Sequence, residues 1–425
     1  MMASDWKELT LDAVCSRITD GAHSSPRSVP EGKPMASVKD LTPFGIRLES
    51  CRRIPIEDFE KLVRQGCQPV KGDVLIAKDG ATALDTVCEV KRNEDVVLLS
   101  SVAILRPNPA IISSSYLHYY LDSSTTRSYL KGTFVGGSAI PRVVLKDLKR
   151  AAVHVPPLPI QRRIASIMSA YDELIENSQR RIKILETMAR TLYREWFVYF
   201  RFPGHESVSR VPSPLGDIPH GWTVWKLREV TTKIGSGATP RGGKDAYKTE
   251  GIPLIRSLNI YDYSFQFDDL AFIDKHQAAG LDNVIVQEAD ILLNITGASV
   301  ARCALAPSHL LPARVNQHVA IVRADPAKAS PFYVLDAINS DNRKSQLLAL
   351  AQGGATREAL TKDTIANFEI LGPPRPLMEY YNSVASGIHR QREVLLRQTQ
   401  TLRRTRDLLL PRLLSGQINV EAIAA

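Results

Sequence analysis

Apolar positions along this chain follow two rhythms, and each rhythm occurs twice. Up to about residue 150 they come in short runs such as Asp73 to Ala77 and Ser101 to Leu105, rich in Val and Ile and broken by Gly, Pro and Asn. Such runs predict strands and loops, with a few helices such as Ser115 to Leu121. After Pro156-Pro157 the rhythm changes. Ile160, Ile164, Ile167, Tyr171, Leu174 and Ser178 alternate steps of four and three, and Ile182, Leu185, Ala189, Leu192 and Trp196 resume after one four-residue slip. A 3.5-residue period predicts a long helix with an apolar seam. A second seam runs through Leu377, Tyr381, Val384, Ile388, Gln391, Leu395, Leu402, Leu409 and Leu413. Pro159 and Pro376 stand where a first turn tolerates proline, and Gly204 and Gly416 follow the ends. Each helix, about 38 residues at 1.5 Å per residue, is about 55 Å long.

Laid over itself at a shift of 216 to 219 residues, the chain matches in order. Trp6, Leu11, Val14, Ile18, Gly21 and Ala22 fall on Trp222, Leu227, Val230, Ile234, Gly237 and Ala238. Gly72 to Ile76 meets Ala289 to Leu293, Gly80-Ala81-Thr82 meets Gly297-Ala298-Ser299, and the Val-Ala-Ile runs ending at Arg106 and Arg323 coincide. Gly136-Gly137 meets Gly353-Gly354, and Pro156-Pro157 meets Pro373-Pro374. The expectation is two copies of one α+β fold, each closed by a long helix, with the helices as an antiparallel coiled-coil pair holding two lobes apart. Pro203 to Pro219, rich in Pro, Gly and Ser, reads as the linker.

The 425 residues are 44% hydrophobic and 23% charged, which predicts a mostly folded chain of several modules. Lys plus Arg exceed Asp plus Glu by 54 to 45, and the resulting +9 favours a polyanionic partner. Five cysteines (Cys15, Cys51, Cys67, Cys88, Cys303) with no C-x-x-C spacing predict reduced thiols. Asp5, Lys7 and Glu8 interrupt the start, and no run of eighteen apolar residues follows, so a cytoplasmic chain is expected.

Catalytic signatures are weak. The Asp/Asn-Pro-Pro-aromatic tetrad of amino-methyltransferases has no counterpart, because the Pro-Pro pairs stand in Val-Pro-Pro-Leu at Val155 and Gly-Pro-Pro-Arg at Gly372. Gly237 to Lys244 resembles a phosphate loop, but Lys244 is one residue late and Asp245 stands where Ser or Thr would hold magnesium. Asp73 with Glu89 and Lys91 mimics a nuclease metal site, yet the other copy has Ala306-Pro307-Ser308 there. No paired-histidine metal motif occurs. Residues able to read base edges or neutralise phosphates cluster in the loops instead. In the first copy these are His23, Ser24, Arg27, Lys39, Lys78 and Arg142; in the second, Thr239, Arg241, Lys244, Arg256, Asn259, Asn294, Asn316, Gln317 and Arg357. The copies differ at Lys78-Asp79 against Ile295-Thr296 and at Val97 to Ser100 against Arg314 to Gln317.

Over essentially its whole length the chain resembles the DNA-specificity subunit of type I restriction-modification systems. The resemblance rests on Trp222 to Leu227 with Ser236-Gly237-Ala238-Thr239-Pro240, the Gly72-Asp73 and Asp290 strands, and Pro156 to Gln161 leading to Leu192-Tyr193-Arg194-Glu195-Trp196-Phe197. Pro411 to Gly416 closes the second copy in the same manner, while Met378 replaces the usual Gln. The resemblance implies target-recognition domains at 1–155 and 220–372, a central helix at 156–202, a linker at 203–219, a distal helix at 373–418 and a tail at 419–425. It implies a non-catalytic reader of a bipartite DNA site. Two modification subunits would carry S-adenosylmethionine and methylate adenine, and restriction subunits would use ATP, with magnesium also expected on the partners. The residues alone leave open a two-lobed scaffold for protein, a lone transcriptional DNA binder, and a metal nuclease using Asp73, Glu89 and Lys91.

Overall fold

The computed structural model describes residues 6–136, 141–240, 242–352 and 358–420, without the side chain of Lys244. Gly137, Arg241, Gly353, Gly354 and Arg357 lie outside the described residues. The chain divides into two units, Met1–Gln179 with Gln398–Ala425, and Arg180–Arg397. The division falls inside both long helices.

In the first unit, β1 (Cys15–Asp20), β2 (Lys33–Ala36), β3 (Arg52–Ile54), β4 (Val74–Ala77), β5 (Val87–Glu89), β6 (Val97–Leu98) and β7 (Val102–Pro107) form two small sheets. One has the order β1-β7-β4-β5 and the other β3-β2-β6, with β2 and β6 parallel. β4 is the continuous apolar run Val-Leu-Ile-Ala, buried at every position, as a strand covered on both faces requires. Helix α1 (Ser114–Asp122) packs beside it, and its Tyr116 hydroxyl donates to the His154 carbonyl at 2.8 Å. The long central helix α2 (Leu158–Tyr193) follows and ends in a π turn at Arg194–Val198.

The second unit contains β8 (Thr231–Ser236), β9 (Ile252–Ile255), β10 (Ala271–Ile273), β11 (Ile285–Val286), β12 (Ile291–Asn294), β13 (Cys303–Leu305), β14 (Ala313–Val315) and β15 (Val319–Ala324). Its sheets run β8-β15-β12-β13 and β10-β9-β14-β11, with β9 and β14 parallel. Helix α3 (Pro331–Asn339) carries Tyr333, whose hydroxyl donates to the Leu371 carbonyl at 2.7 Å. The distal helix α4 spans Arg375–Leu414.

The strand registers are set by the same buried ion pair in each unit. Asp73, with no exposure, accepts Arg106 Nε and Nη2 at 2.8 and 2.9 Å, and Asp290 accepts Arg323 likewise at 2.7 and 2.8 Å. Each carboxylate also accepts a backbone N–H three residues upstream, from Val70 and Gln287. Two oxygens so occupied leave Asp73 unavailable to a metal, and Glu89 accepts the Ser115 hydroxyl at 2.7 Å. The nuclease alternative therefore fails on geometry: the carboxylates it needs are structural.

The long helices differ from expectation in phase. Leu174 is 54% exposed and Val384 37%, whereas Ile175 and Ala385 are fully buried. The inward stripe of α2, continued into the π turn, runs through Gln161, Ala165, Met168, Asp172, Ile175, Gln179, Ile182, Glu186, Ala189, Tyr193 and Trp196 in steps of four and three, with Gln179 and Glu186 half-buried and Ser178 of the expected seam buried beside it. The expected slip between Ser178 and Ile182 disappears once polar residues are admitted. Ile164, Ile182, Trp196, Tyr381, Ile388, Leu395 and Leu413 of the expected seams are buried, while Ile167, Tyr171, Leu185, Leu192, Leu402 and Leu409 flank or complete the stripes half-buried.

Two further departures are local. The linker forms a turn at His205–Ser207 and a hairpin pairing Arg210–Val211 with Ile218–Pro219, and Ile218 is buried with Phe202 and Trp222 in the second unit's core. Gln161, buried completely, accepts the Ser113 N–H and donates to the carbonyls of Ile111 and Pro156. Met378 at the corresponding position is simply buried among apolar neighbours, so α4 begins where expected without that fastening.

Two stability predictions follow. Arg106→Met strands the Asp73 carboxylate and should cost about 3–5 kcal/mol in urea unfolding; adding Asp73→Asn should recover part of the loss. Burial pushes the Asp122 carboxyl from 3.8 up to about 6, against the opposing pull of Arg127 and Arg406. Ionising it in the folded chain is therefore unfavourable, and stability falls as pH rises between those two values. Asp122→Asn should raise stability at pH 7.5 by at most about 3 kcal/mol and change nothing below pH 3.5, read from unfolding curves at both pH values.

Candidate nucleic-acid interface

Three of the first-copy candidates, His23, Lys78 and Arg142, converge at the end of β4. Lys78, only 5% exposed, places Nζ 3.2 Å from Asp79 Oδ2 and 3.5 Å from Asp20 Oδ2. His23 Nε2 lies 3.1 Å from Asp20 Oδ1, and Arg142 Nε 3.2 Å from Asp79 Oδ1. A β-bridge between Asp79 and Arg142 holds the two loops together. The Lys78 ammonium is thus spent on two carboxylates and supports the group from below, while the His23 and Arg142 side chains stay 78% and 65% exposed. Ser24 and Arg27 are exposed on the loop after Ala22, and Lys39 is exposed in the turn Val38–Asp40.

The second-copy group sits at the end of β12, where a bridge joins Thr296 to Ala359. Here the polar chain is built from hydroxyl, amide and imidazole groups. The Thr239 hydroxyl donates to Gln317 Oε1, Gln317 Nε2 lies 3.1 Å from His318 Nε2, and His318 Nδ1 lies 2.6 Å from Thr296 Oγ1. With Gln317 donating to Nε2, the ring must carry its proton on Nδ1 and donate to Thr296. The Thr296 hydroxyl hydrogen is then left for an outside acceptor.

The remaining asparagines do different work. Asn259, with no exposure, accepts the Arg256 N–H at 3.0 Å and donates to the carbonyls of Gln266 and Asp268. Asp40 closes the corresponding turn through the Ser37 N–H. Asn294, also fully buried, donates to the Ser257 carbonyl and the Ser299 hydroxyl. Asn316 accepts the His318 N–H. Arg256 stacks over Tyr247 at 5.3 Å and donates to the Asp269 carbonyl. These groups are committed to shaping loops. The side chains facing outward are His23, Ser24, Arg27, Lys39, Arg142 and Gln317, with Thr239 half-buried beside Gln317.

Sequence reading missed Asp20 and His318. Asp20 sits between a histidine three residues on and a lysine far along the chain, and only strand pairing reveals it. Both groups hang from one close approach. A Cβ on Gly21 would lie 2.1 Å from the Leu98 carbonyl oxygen, and one on Gly237 1.7 Å from that of Val315. Only glycine lets the loop cross the parallel strand there.

Residues 4–187 match a family model described as the type I restriction modification DNA specificity domain. The type I restriction enzyme MjaIX specificity subunit of Methanocaldococcus jannaschii is 25% identical over 314 residues, covering 73% of this chain and 71% of the relative. A putative type I restriction enzyme specificity subunit of the same organism, MjaX, is 24% identical over 433 residues, covering 98% and 94%. The crystal structure of a type I restriction-modification S subunit from M. genitalium shares the fold, with a TM-score of 0.62, 14% identity and 96% of each chain covered.

Stability should separate the two kinds of polar residue. Asn259→Ala and Asn294→Ala should each cost about 1–3 kcal/mol in chemical denaturation, because buried backbone partners lose their bonds. Ser24→Ala, Arg27→Ala and Gln317→Ala should stay within about 0.5 kcal/mol of the parent.

Proposed function

We propose that the chain is a type I restriction-modification specificity subunit and that it reads a bipartite DNA target, one half-site per recognition domain, with domains at 1–155 and 220–372. One observation carries the reading. At the same place in each sheet framework the chain mounts different chemistry: Lys78, Asp79 and Arg142 at the end of β4, and Ile295, Thr296 and Ala359 at the end of β12. A shared frame with unlike outward groups is what reading two unlike sequences requires.

His23, Arg27, Lys39 and Arg142 suit phosphates and guanine edges; Thr239, Thr296 and Gln317 suit adenine and thymine edges. Lys78 and the buried asparagines act as supports in this reading. Arg241, Lys244 and Arg357 remain candidates by sequence. The chain supplies recognition; modification subunits, two in this proposal, bind S-adenosylmethionine and methylate adenine, and restriction subunits use ATP and magnesium. The two long helices serve as an antiparallel pair. Their ion pairs support this: Asp172 meets Arg406 in the first unit and Glu186 meets Arg392 in the second, so position rises along one helix as it falls along the other.

The test is to co-express the chain with its modification subunit and sequence the methylated sites. The expected outcome is adenine methylation at a two-part sequence with a gap, and none by the chain alone. Arg142→Ala should weaken DNA binding and lower its salt dependence by about one phosphate contact if that side chain meets the backbone. Replacing residues 237–248 by those of a relative should change one half-site only. Both half-sites changing together would defeat the reading.

A further inference from the structure

The inward stripe of each long helix carries charged side chains of one sign. The stripe of α2 holds Asp172, 6% exposed, and Glu186, and no cation between Gln161 and Trp196. The stripe of α4 runs through Met378, Tyr381, Ala385, Ile388, Arg392, Leu395, Thr399, Leu402, Arg406, Leu409 and Leu413, and contains no carboxylate. The acids are fourteen residues apart, as are the arginines, two heptads in each case.

In the first unit Arg406 Nη1 donates to Asp172 Oδ1 at 2.8 Å, and the Tyr119 hydroxyl of α1 donates to Asp172 Oδ2 at 2.8 Å. In the second, Arg392 Nε donates to Glu186 Oε1 at 2.9 Å, while its Nη2 donates to the Tyr263 carbonyl. Each ion pair is thus anchored to its own unit as well as across the helices. The apolar members of the stripes, Ile175 and Ile182 on α2 and Leu395 and Leu402 on α4, carry no such discrimination, since any aliphatic surface accepts them.

We propose that these four charges choose the partner of each helix. The α2 stripe fits a helix bearing arginines fourteen residues apart, which in this protein is α4, and rejects a second copy of α2. The alternatives show why. Two α2 helices would bury four carboxylates with no cation in either stripe, and two α4 helices four guanidinium groups with no carboxylate. The two halves of the chain share a frame of matching residues, and helices apolar throughout would discriminate little between like and unlike partners. This inference rests on the helix contacts and is independent of whether the lobes read DNA.

The test uses two full-length variants carrying different tags. In Arg392→Glu/Arg406→Glu both stripes are acidic, and in Asp172→Arg/Glu186→Arg both are basic. Expressed singly, each should melt about 10 °C or more below the parent. Co-expressed, they should co-purify one to one with most of that loss regained, because each acidic α2 or α4 now meets a basic partner on the other chain. Parent chains with the two tags should not co-purify. A variant that melts alone like the parent, or two soluble variants that do not associate, would overturn the proposal. If the reversed chains are insoluble, the decision passes to neutral variants of the single chain. Arg392→Gln strands Glu186, so Glu186→Gln/Arg392→Gln should melt above Arg392→Gln. An equal or lower midpoint would show that the carboxylate needs no counter-charge there, and the selection would fail.

Discussion

A carboxylate with no access to water has to find its counter-charge inside the protein, and two of them fix the frame of this molecule. Asp73 sits just before β4 and Asp290 just before β12, each gripped by an arginine from the adjacent strand. A slip of one residue would carry the guanidinium to the opposite face and leave the charge buried alone. With that register set, Ile104 lies opposite Leu75 and Ile321 opposite Leu292, and the far ends of β4 and β12 come out at equivalent places. The outward polar groups begin there. Their position is therefore a consequence of an interaction at the other end of the strand.

Much of this was legible in the sequence because it is written in residues that serve one purpose only. The Gly-Asp-Val-Leu-Ile run, the arginine closing each Val-Ala-Ile run and the Gly-Ala pairs have few other uses, and their order along the chain carries the argument. Part of each long-helix stripe was read one position off for the opposite reason. Asp172, Glu186, Arg392 and Arg406 look like surface residues to any hydrophobic pattern, and each finds its partner more than 200 residues away. Leu174 and Val384 supplied a plausible rhythm in their place while facing outward. Asparagine misleads in a related way. The donor and acceptor that would read an adenine edge are the same pair that closes a backbone turn, and only burial distinguishes Asn259 from Gln317.

The two units also depart from each other in how they fasten helix to lobe. Gln161 makes three hydrogen bonds beneath α1, whereas Met378 fills the corresponding space with a thioether chain. Asp172 takes the Tyr119 hydroxyl, while in the second unit the acid sits on the lobe, where Asp336 takes the Tyr381 hydroxyl. The two acids do not stand at equivalent positions: Asp336 takes the place of Tyr119, and His389, 3.7 Å from Asp336 Oδ2, takes that of Asp172.

Gly21 and Gly237 draw a boundary that matters to anyone wishing to reshape this protein. Up to those residues, the backbone is threaded so close to a neighbouring carbonyl that not even a methyl group fits. Three and six residues beyond Gly21, Ser24 and Arg27 are exposed on their loop. The glycine therefore acts as an anchor point between packed scaffold and exposed loop. A library that randomises the exposed positions from His23 onward and leaves Gly21 and the buried Ala22 untouched would sample new surfaces without reopening the question of how the chain folds.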